Sequence, residues 1–293
     1  MMKVVTHSGS FHADDVFAVA TLQLHFGVEN VEVVRTRDES IIASADIVLD
    51  VGGVYDPEQQ RYDHHQNGAP VRENGIPYAA FGLIWKHYGE ELARSTAIVK
   101  RIEESLVLPI DAGDNGVDLF SVNEHGIGPV TIQSILALLR PEWGSAEDVN
   151  KAFLDACTLA RTVIERAIAH SEAEVEEEKV ARAAYETAPD KHVIISDQPI
   201  SPHFFVEYLE PLFIVCPDDP VMNNNWEATA VRIRKDDFAS RVQFPERWAG
   251  LRGDELAAAS GIADAVFCHK ARFYFVAGSK EGVLAAVEKT LLE

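Results

Sequence analysis

Residues 61–68 read RYDHHQNG and set Asp63, His64 and His65 in consecutive positions, soon after a Gly52-Gly53 turn. A core strand would alternate apolar and polar residues, and a solvated loop has no use for two adjacent imidazoles. Asp and His are the residues that hold divalent metals and orient their ligands. The chemistry to look for is therefore that of a metal site. Three further segments carry the same residue types: THSGSFHADD supplies His7, His12, Asp14 and Asp15, Asp50 closes ADIVLD, and IDAGDNG contains Asp111 and Asp114.

Each segment taken alone has a plainer explanation. Asp14 and Asp15 suit the first turn of a helix, where acids favour the helix dipole. His7 and His12 could be ordinary loop histidines. Asp50 could form a turn before the paired glycines, and the Asn-Gly turn after Asp114 accounts for one acid there. The joint pattern weighs more, because four separate segments bring Asp or His and three of them follow predicted strand ends. Two divalent ions need about six to eight nitrogen and oxygen ligands, with one or two shared carboxylates. His7, His12, Asp14, Asp50, His64 and Asp114 meet that number without cysteine. The mixture suits two ions of Mn²⁺ or Mg²⁺ better than structural Zn²⁺, which tends to take thiolates.

The elements that must position these residues are legible in outline. KVVTH reads as a strand, and DDVFAVATLQLHF follows with apolar residues at helical spacing. VEVVRTRD and ADIVLDVGG read as second and third strands, each apolar enough for burial on both faces. Strand, helix, strand, strand is the opening of an α/β sheet with parallel strands, whose strand ends present chemistry. Pro77 then opens a helix through PYAAFGLIWKHYG, closed by Gly89, and further helices are expected near 91–107 and 129–140. Residues 146–187 form one long helical stretch whose second half, EAEVEEEKVARAAYETA, is nearly all Ala and charge. A helix with so little to bury usually bridges domains. The expected organisation is a catalytic α/β domain over 1–145, a connecting helix over 146–187, and a smaller α+β domain over 188–293. The last contains HVIIS, LFIVCP, WEATAVRI, AVFCHK and RFYFVAG as strands before a final helix.

Bulk properties bound the function. A chain of 293 residues with 47 % hydrophobic content is an ordinary globular protein of about two domains. Its amino terminus has no apolar h-region, and no run approaches the ~20 apolar residues of a membrane span. Three cysteines far apart (Cys157, Cys216, Cys268) imply reduced thiols and a cytoplasmic setting. With 26 basic against 47 acidic residues the formal charge is -21. Such a surface repels nucleic acid over most of its area, though metals and a local basic patch can neutralise a bound phosphate.

Asp-His-His after an Asp-tipped strand, with upstream His and Asp and a downstream Asp-containing turn, resembles the DHH phosphoesterases. The nearer likeness is to the MYG family of DHH-like proteins. It is carried in order by THSGSFHADD, VRTRD, ADIVLDVGGVYDPEQQRYDHHQ, AAFGLIWKHYG and DAGDNGV, then by WEATAVRI, RWAGLRGDEL and SGIADAVFCH. The resemblance implies that His12, Asp14, Asp50 and His64 bind metal, with His7 and Asp114 completing two sites; Asp111 also matches. It implies that His65 faces the substrate phosphate while Asp63 orients its neighbours. Arg241, Arg252 and His269 match family positions and are candidates to clamp the non-attacking phosphoryl oxygens. The implied activity is 3′-to-5′ exoribonuclease action on single-stranded RNA or a short oligonucleotide, by two metals about 3.5–4 Å apart.

The chain also departs from the family pattern. Asp15 stands where a Glu is usual. Phe275 and Val276 stand where a glycine pair is expected, and Pro202-His203 replaces a Trp-Lys pair. Glycines admit a close backbone approach to phosphate that Val276 blocks. A small substrate (a dinucleotide, a nucleotide phosphate or pyrophosphate) is the nearest rival, favoured by that altered domain and the acidic surface. A non-catalytic metal-binding module is a rival of another class, and the long Ala/Glu helix is a candidate surface for homo-oligomers. Phe81, Trp85 and Tyr88 could stack a base, but core packing is the expectation.

Overall fold

The computed structural model describes residues 1–218 and 224–293. Its architecture is α/β, with two five-stranded sheets. The chain divides into two compact units, Met1–Glu172 and Ala173–Glu293.

In unit 1, strand β1 (Met2–Thr6) is followed by α1 (Ala13–Phe26), β2 (Val31–Arg35), α2 (Glu39–Ala43) and β3 (Ile47–Leu49). A short antiparallel pair, β4 (Tyr55–Asp56) and β5 (Arg61–Tyr62), leads into Asp63. The sheet order is β2-β1-β3-β5-β4, and β2, β1, β3 and β5 are mutually parallel. Strands β1, β3 and β5 therefore lie side by side and point their carboxyl ends the same way. Helix α1, buried along most of its length, is apolar on nearly every face because it lies against the sheet and against α3 (Ala80–Ala93). Strand β2 differs from expectation: it lies at the sheet edge, and beyond Val31 it is only partly covered.

Helix α3 begins three residues later than Pro77 and runs on past Gly89 to Arg94, which caps it at a left-handed φ of 54°. Gly89 is not a stop. A Cβ there would lie 2.8 Å from the Trp85 ring, so the glycine makes room for a buried indole inside the helix. Phe81 and Trp85 are fully buried and Tyr88 packs on Tyr62, as core packing requires. The helix expected over 91–107 is instead α4 (Thr96–Ile102), a π-turn (Glu103–Val107) and α5 (Leu108–Asp114). Pro109 sits at the start of α5, which follows directly on the π-turn. The next helix, α6 (Ile132–Ala137), is shorter than expected and starts from a Thr131–Ser134 capping box.

Helix α7 (Val149–Thr187) is 39 residues long, and the division between the units falls within it. In unit 1 its Phe153 packs edge-on against Phe11; in unit 2 its Ala181 joins a core with Ile194, Phe205 and Ile214. Unit 2 continues with β6 (Val193–Ile195), β7 (Phe213–Pro217), β8 (Trp226–Ala230), α8 (Gly253–Ser260), β9 (Ala265–Cys268), β10 (Tyr274–Ala277) and α9 (Lys280–Leu291). Its sheet order is β6-β7-β8-β10-β9, with only the β6–β7 pair parallel. The three cysteines are buried and unpaired. Among the described residues, no helix is long and apolar enough to cross a membrane.

Candidate metal centre

Three adjacent parallel strands end on chemistry. His7 follows β1, Asp50 follows β3, and Asp63-His64-His65 follows β5. The amino terminus of α1 adds His12, Asp14 and Asp15, and the last turn of α5 adds Asp114. Their candidate ligand atoms form three groups, each within 4.8 Å: His7–Asp15–Asp50, Asp50–His64–His65 and His12–Asp14–Asp114. Asp50 belongs to two of them. Its backbone adopts a left-handed φ of 55°, which costs a non-glycine residue on the order of 1 kcal/mol or more. That conformation lets one carboxylate reach His7 Nε2 and His64 Nε2, each at 3.2 Å.

The surrounding hydrogen bonds aim these groups. His7 Nδ1 donates to the Ser8 carbonyl at 3.2 Å, which leaves Nε2 facing Asp15 and Asp50. One oxygen of Asp15 accepts the His12 N–H and caps α1, while the other lies 3.2 Å from His7 Nε2. The helix-end role expected for Asp15 thus occupies only half of its carboxylate. Its place in a ligand group was missed, and the one available signal was its position in THSGSFHADD. Asp63 is buried and accepts from the N–H groups of Gly53, His64 and His65 and from His65 Nδ1 at 2.7 Å. This last bond turns His65 Nε2 outward, on a ring that is 63 % exposed.

The electrostatics are those of buried carboxylates packed against one another and against imidazoles. Burial, and then the like charges of Asp50, Asp114 and Asp15, hold Asp14 well above the usual carboxylate range. Burial also raises Asp15, against the pull of His7. At His7 burial disfavours the charge, but Asp15 and Asp50 outweigh it and raise the imidazole to about 10. His64 is raised by Asp50 against its own burial. Asp50, flanked by both imidazoles, is lowered to about 2 despite burial.

Four buried atoms of these residues, Asp14 Oδ1, Asp15 Oδ2, Asp50 Oδ1 and His64 Nε2, make no hydrogen bond among the described residues, although Asp15 Oδ2 lies 3.2 Å from His7 Nε2 and Asp50 Oδ1 lies 3.2 Å from His64 Nε2. Buried polar atoms without a hydrogen bond are rare, and a bound ion or water would satisfy these. A donor set of carboxylates and imidazoles of this kind fits divalent cations.

Asp111 stands apart. It is in none of the three groups, and its carboxylate accepts from Arg72 at 2.7 Å and from the Gly82 N–H at 3.0 Å. Burial pushes it up to about 7, with Arg72 opposing. Its place is one helical turn before Asp114, so what fixes Asp111 also fixes Asp114. The amino terminus of α3 links the two carboxylate-bearing helices: Ala80 N–H donates to Asp14 at 3.4 Å, and Gly82 N–H donates to Asp111. Arg72, which was not read from the sequence, also bonds Glu103 and lies 3.9 Å from the Tyr78 ring centroid.

The candidate clamp residues lie in unit 2. Arg241 donates to the backbone carbonyls of Pro211 and Val206, both at 2.8 Å, and so braces two loops. Arg252 caps the start of α8 and lies over the Phe267 ring at 4.2 Å. His269 lines a cavity considered below. Phe275 and Val276, in place of the glycine pair, are buried in β10, and Phe275 packs between Phe244 and Trp248.

The fold and this Asp/His site define a two-unit α/β protein with a candidate divalent-metal centre at its parallel strand ends. More narrowly, the sequence profile of the MYG1 exonuclease family, described as an uncharacterised protein family (UPF0160), matches residues 3–291, and the chain belongs to that family. It is 29 % identical to a Dictyostelium discoideum MYG1 protein, covering 99 % of this chain and 96 % of the relative. It is 28 % identical to the Homo sapiens MYG1 exonuclease, covering 99 % and 86 % respectively. A solved pGpG-specific phosphodiesterase from Vibrio overlaps it at 12 % identity and a TM-score of 0.32, covering 100 % of this chain and 98 % of that one.

Proposed function

We propose that the chain is a divalent-metal-dependent phosphoesterase, acting as a 3′-to-5′ exoribonuclease on single-stranded RNA or short oligonucleotides. The observation that carries this reading is the convergence of buried Asp14, Asp15, Asp50 and His64, each with an atom that makes no hydrogen bond among the described residues. His7, His12, Asp14, Asp50, His64 and Asp114, joined by Asp15, would hold two ions of Mn²⁺ or Mg²⁺. When bound, such ions polarise phosphoryl oxygens and make a water acidic enough to serve as nucleophile at neutral pH. The residues do the rest. Asp63 fixes His65 through its Nδ1 proton, so Nε2 of the neutral ring would accept a proton from the attacking water and the resulting imidazolium would donate to the leaving oxygen. Arg252 and His269 are the remaining candidates for gripping substrate, since Arg241 is engaged with backbone. The naming of mammalian relatives as exonucleases supports the polynucleotide substrate. The acid excess of the chain favours the alternative of a small phosphoester. Three buried, unpaired cysteines suit a cytoplasmic setting.

The deciding experiment strips the protein of metal, restores Mn²⁺, Mg²⁺ or Zn²⁺, and offers end-labelled RNA, a dinucleotide and pyrophosphate. A metal-dependent ladder shortening from the 3′ end, absent in His64→Ala, is expected. Turnover of only the small substrates would transfer the site to the alternative. No turnover with metal bound would sink the enzyme reading.

A further inference from the structure

Unit 2 carries two cavities of similar size and opposite character. One, of about 560 Å³, is lined by Glu176, Glu177, Asp218 and Glu227 among others. The other, also about 560 Å³, is bounded by Pro202, His203, Arg232, Phe238, His269 and Phe273, and no carboxylate lines it among the described residues. In a chain of formal charge -21, a concavity that gathers a guanidinium and two imidazoles without an acid is the exception. Its fixed polarity suits an anion, and its aromatic walls suit a flat ring.

The side chains are arranged for such a ligand. Arg234 and Lys235 are paired with Asp237 and Glu207. Arg232 has no carboxylate within pairing distance among the described residues; its guanidinium lies 4.8 Å from the Phe238 ring centroid. Phe238 is 85 % exposed, a position that core packing does not explain. His269 Nδ1 accepts the Ala271 N–H at 3.0 Å, which puts the proton of a neutral ring on Nε2, where it can donate. The same ring packs on Phe273, with centroids 4.6 Å apart. His203 is held through Nδ1 by Ser201 Oγ at 2.6 Å, leaving Nε2 as the nitrogen that can meet a ligand.

We propose that this cavity binds one nucleoside monophosphate unit, with the base stacked on Phe238 and Phe273 and the phosphate held by Arg232, His203 and His269. The choice of ligand class rests on the phosphoester reading above. Stacking on an aromatic face tolerates any base, so the cavity would select for a nucleotide without selecting a sequence.

The test is calorimetric titration of the full chain in EDTA with AMP, adenosine and inorganic phosphate as separate probes. AMP should bind more tightly than either fragment. Arg232→Ala should weaken AMP and phosphate about tenfold, and Phe238→Ala should weaken AMP and adenosine about tenfold. Phe238→Trp should restore the loss, and His64→Ala should leave AMP binding unchanged. Both Arg232 and Phe238 are exposed, so these variants should keep the fold. The proposal is overturned if AMP does not bind, if phosphate binds as tightly as AMP, or if Arg232→Ala and Phe238→Ala leave AMP affinity intact. Hydrolysis without AMP binding would remove the cavity and keep the enzyme. AMP binding without hydrolysis would do the reverse.

Discussion

The two sheets present their functional residues in different ways. In unit 1 the strands β1, β3 and β5 are parallel neighbours, so their carboxyl ends open on one edge, where the residues that follow them meet those from the start of α1 and the end of α5. In unit 2 the strands are mostly antiparallel, successive ends face opposite edges, and the cavity around Arg232 is assembled from three separated stretches, 201–203, 229–240 and 269–273. A parallel sheet writes its site into sequence as strand-then-ligand repeats. An antiparallel one scatters it.

The sharpest way to test that contrast is to remove the residue shared by two ligand groups. Asp50→Asn should lower metal-dependent turnover by about 10³-fold or more, a loss of the size expected when a metal's ligand field is broken. Its counterpart Asp14→Asn should also lose metal affinity. The EDTA-treated Asp14→Asn protein should nonetheless melt no lower than wild type, because burial and neighbouring acids already disfavour the Asp14 charge. A lower melting temperature would mean that the carboxylate cluster is not held against its own repulsion.

Next in size is the brace behind Asp114. Arg72→Ala leaves Asp111 buried without its partner and should cost about 3 kcal/mol, read from denaturant unfolding. The pH dependence has a definite sign. Asp111 is raised in the folded state to about 7. Its contribution to stability is therefore complete below the unfolded value near 4 and is lost as pH rises through about 7. Without Arg72 that loss continues to higher pH, so the variant's deficit should be larger at pH 8 than at pH 6, by at most about 1.4 kcal/mol per unit. A deficit independent of pH would show that Arg72 acts only by packing.

Gly82→Ala should be milder, about 1–3 kcal/mol, because its Cβ would lie 1.8 Å from Asp111 Oδ2 and force that carboxylate to move. The variant should also bind metal less tightly than its stability loss predicts, measured by Mn²⁺ titration. The smallest effect belongs to unit 2. Arg241→Ala should cost about 1–2 kcal/mol by freeing two backbone carbonyls and should leave KM for RNA unchanged. A raised KM would return Arg241 to the substrate.

This difference between the sheets also explains what could be read in advance. His7, His12, Asp14, Asp50, His64 and Asp114 were legible because each sits at an element end, where residue type alone is informative. Asp15 was obscured because an acid in a first helical turn already has a sufficient reason to be there. Arg72 carried no local signal: its partners Glu103 and Asp111 lie 31 and 39 residues away. The expected stop at Gly89 and the unbroken helix expected over 91–107 failed for similar reasons, since a buried Trp85 ring and a π-turn are decided by tertiary packing. Strands of unit 2 were visible as apolar runs, but which of their loops converge was not, because nothing in an antiparallel register marks it.

One last consequence follows from the placement of the ligand groups along the chain. All of their residues lie within 7–114, and unit 1 ends at Glu172 inside a helix about 58 Å long. Chains are made from the amino terminus, and domains fold as units in that order. The whole ligand set has left the ribosome before the first residue of the Arg232 cavity is joined. An ion can therefore be captured by a nascent protein that does not yet possess the loops proposed to receive its nucleotide.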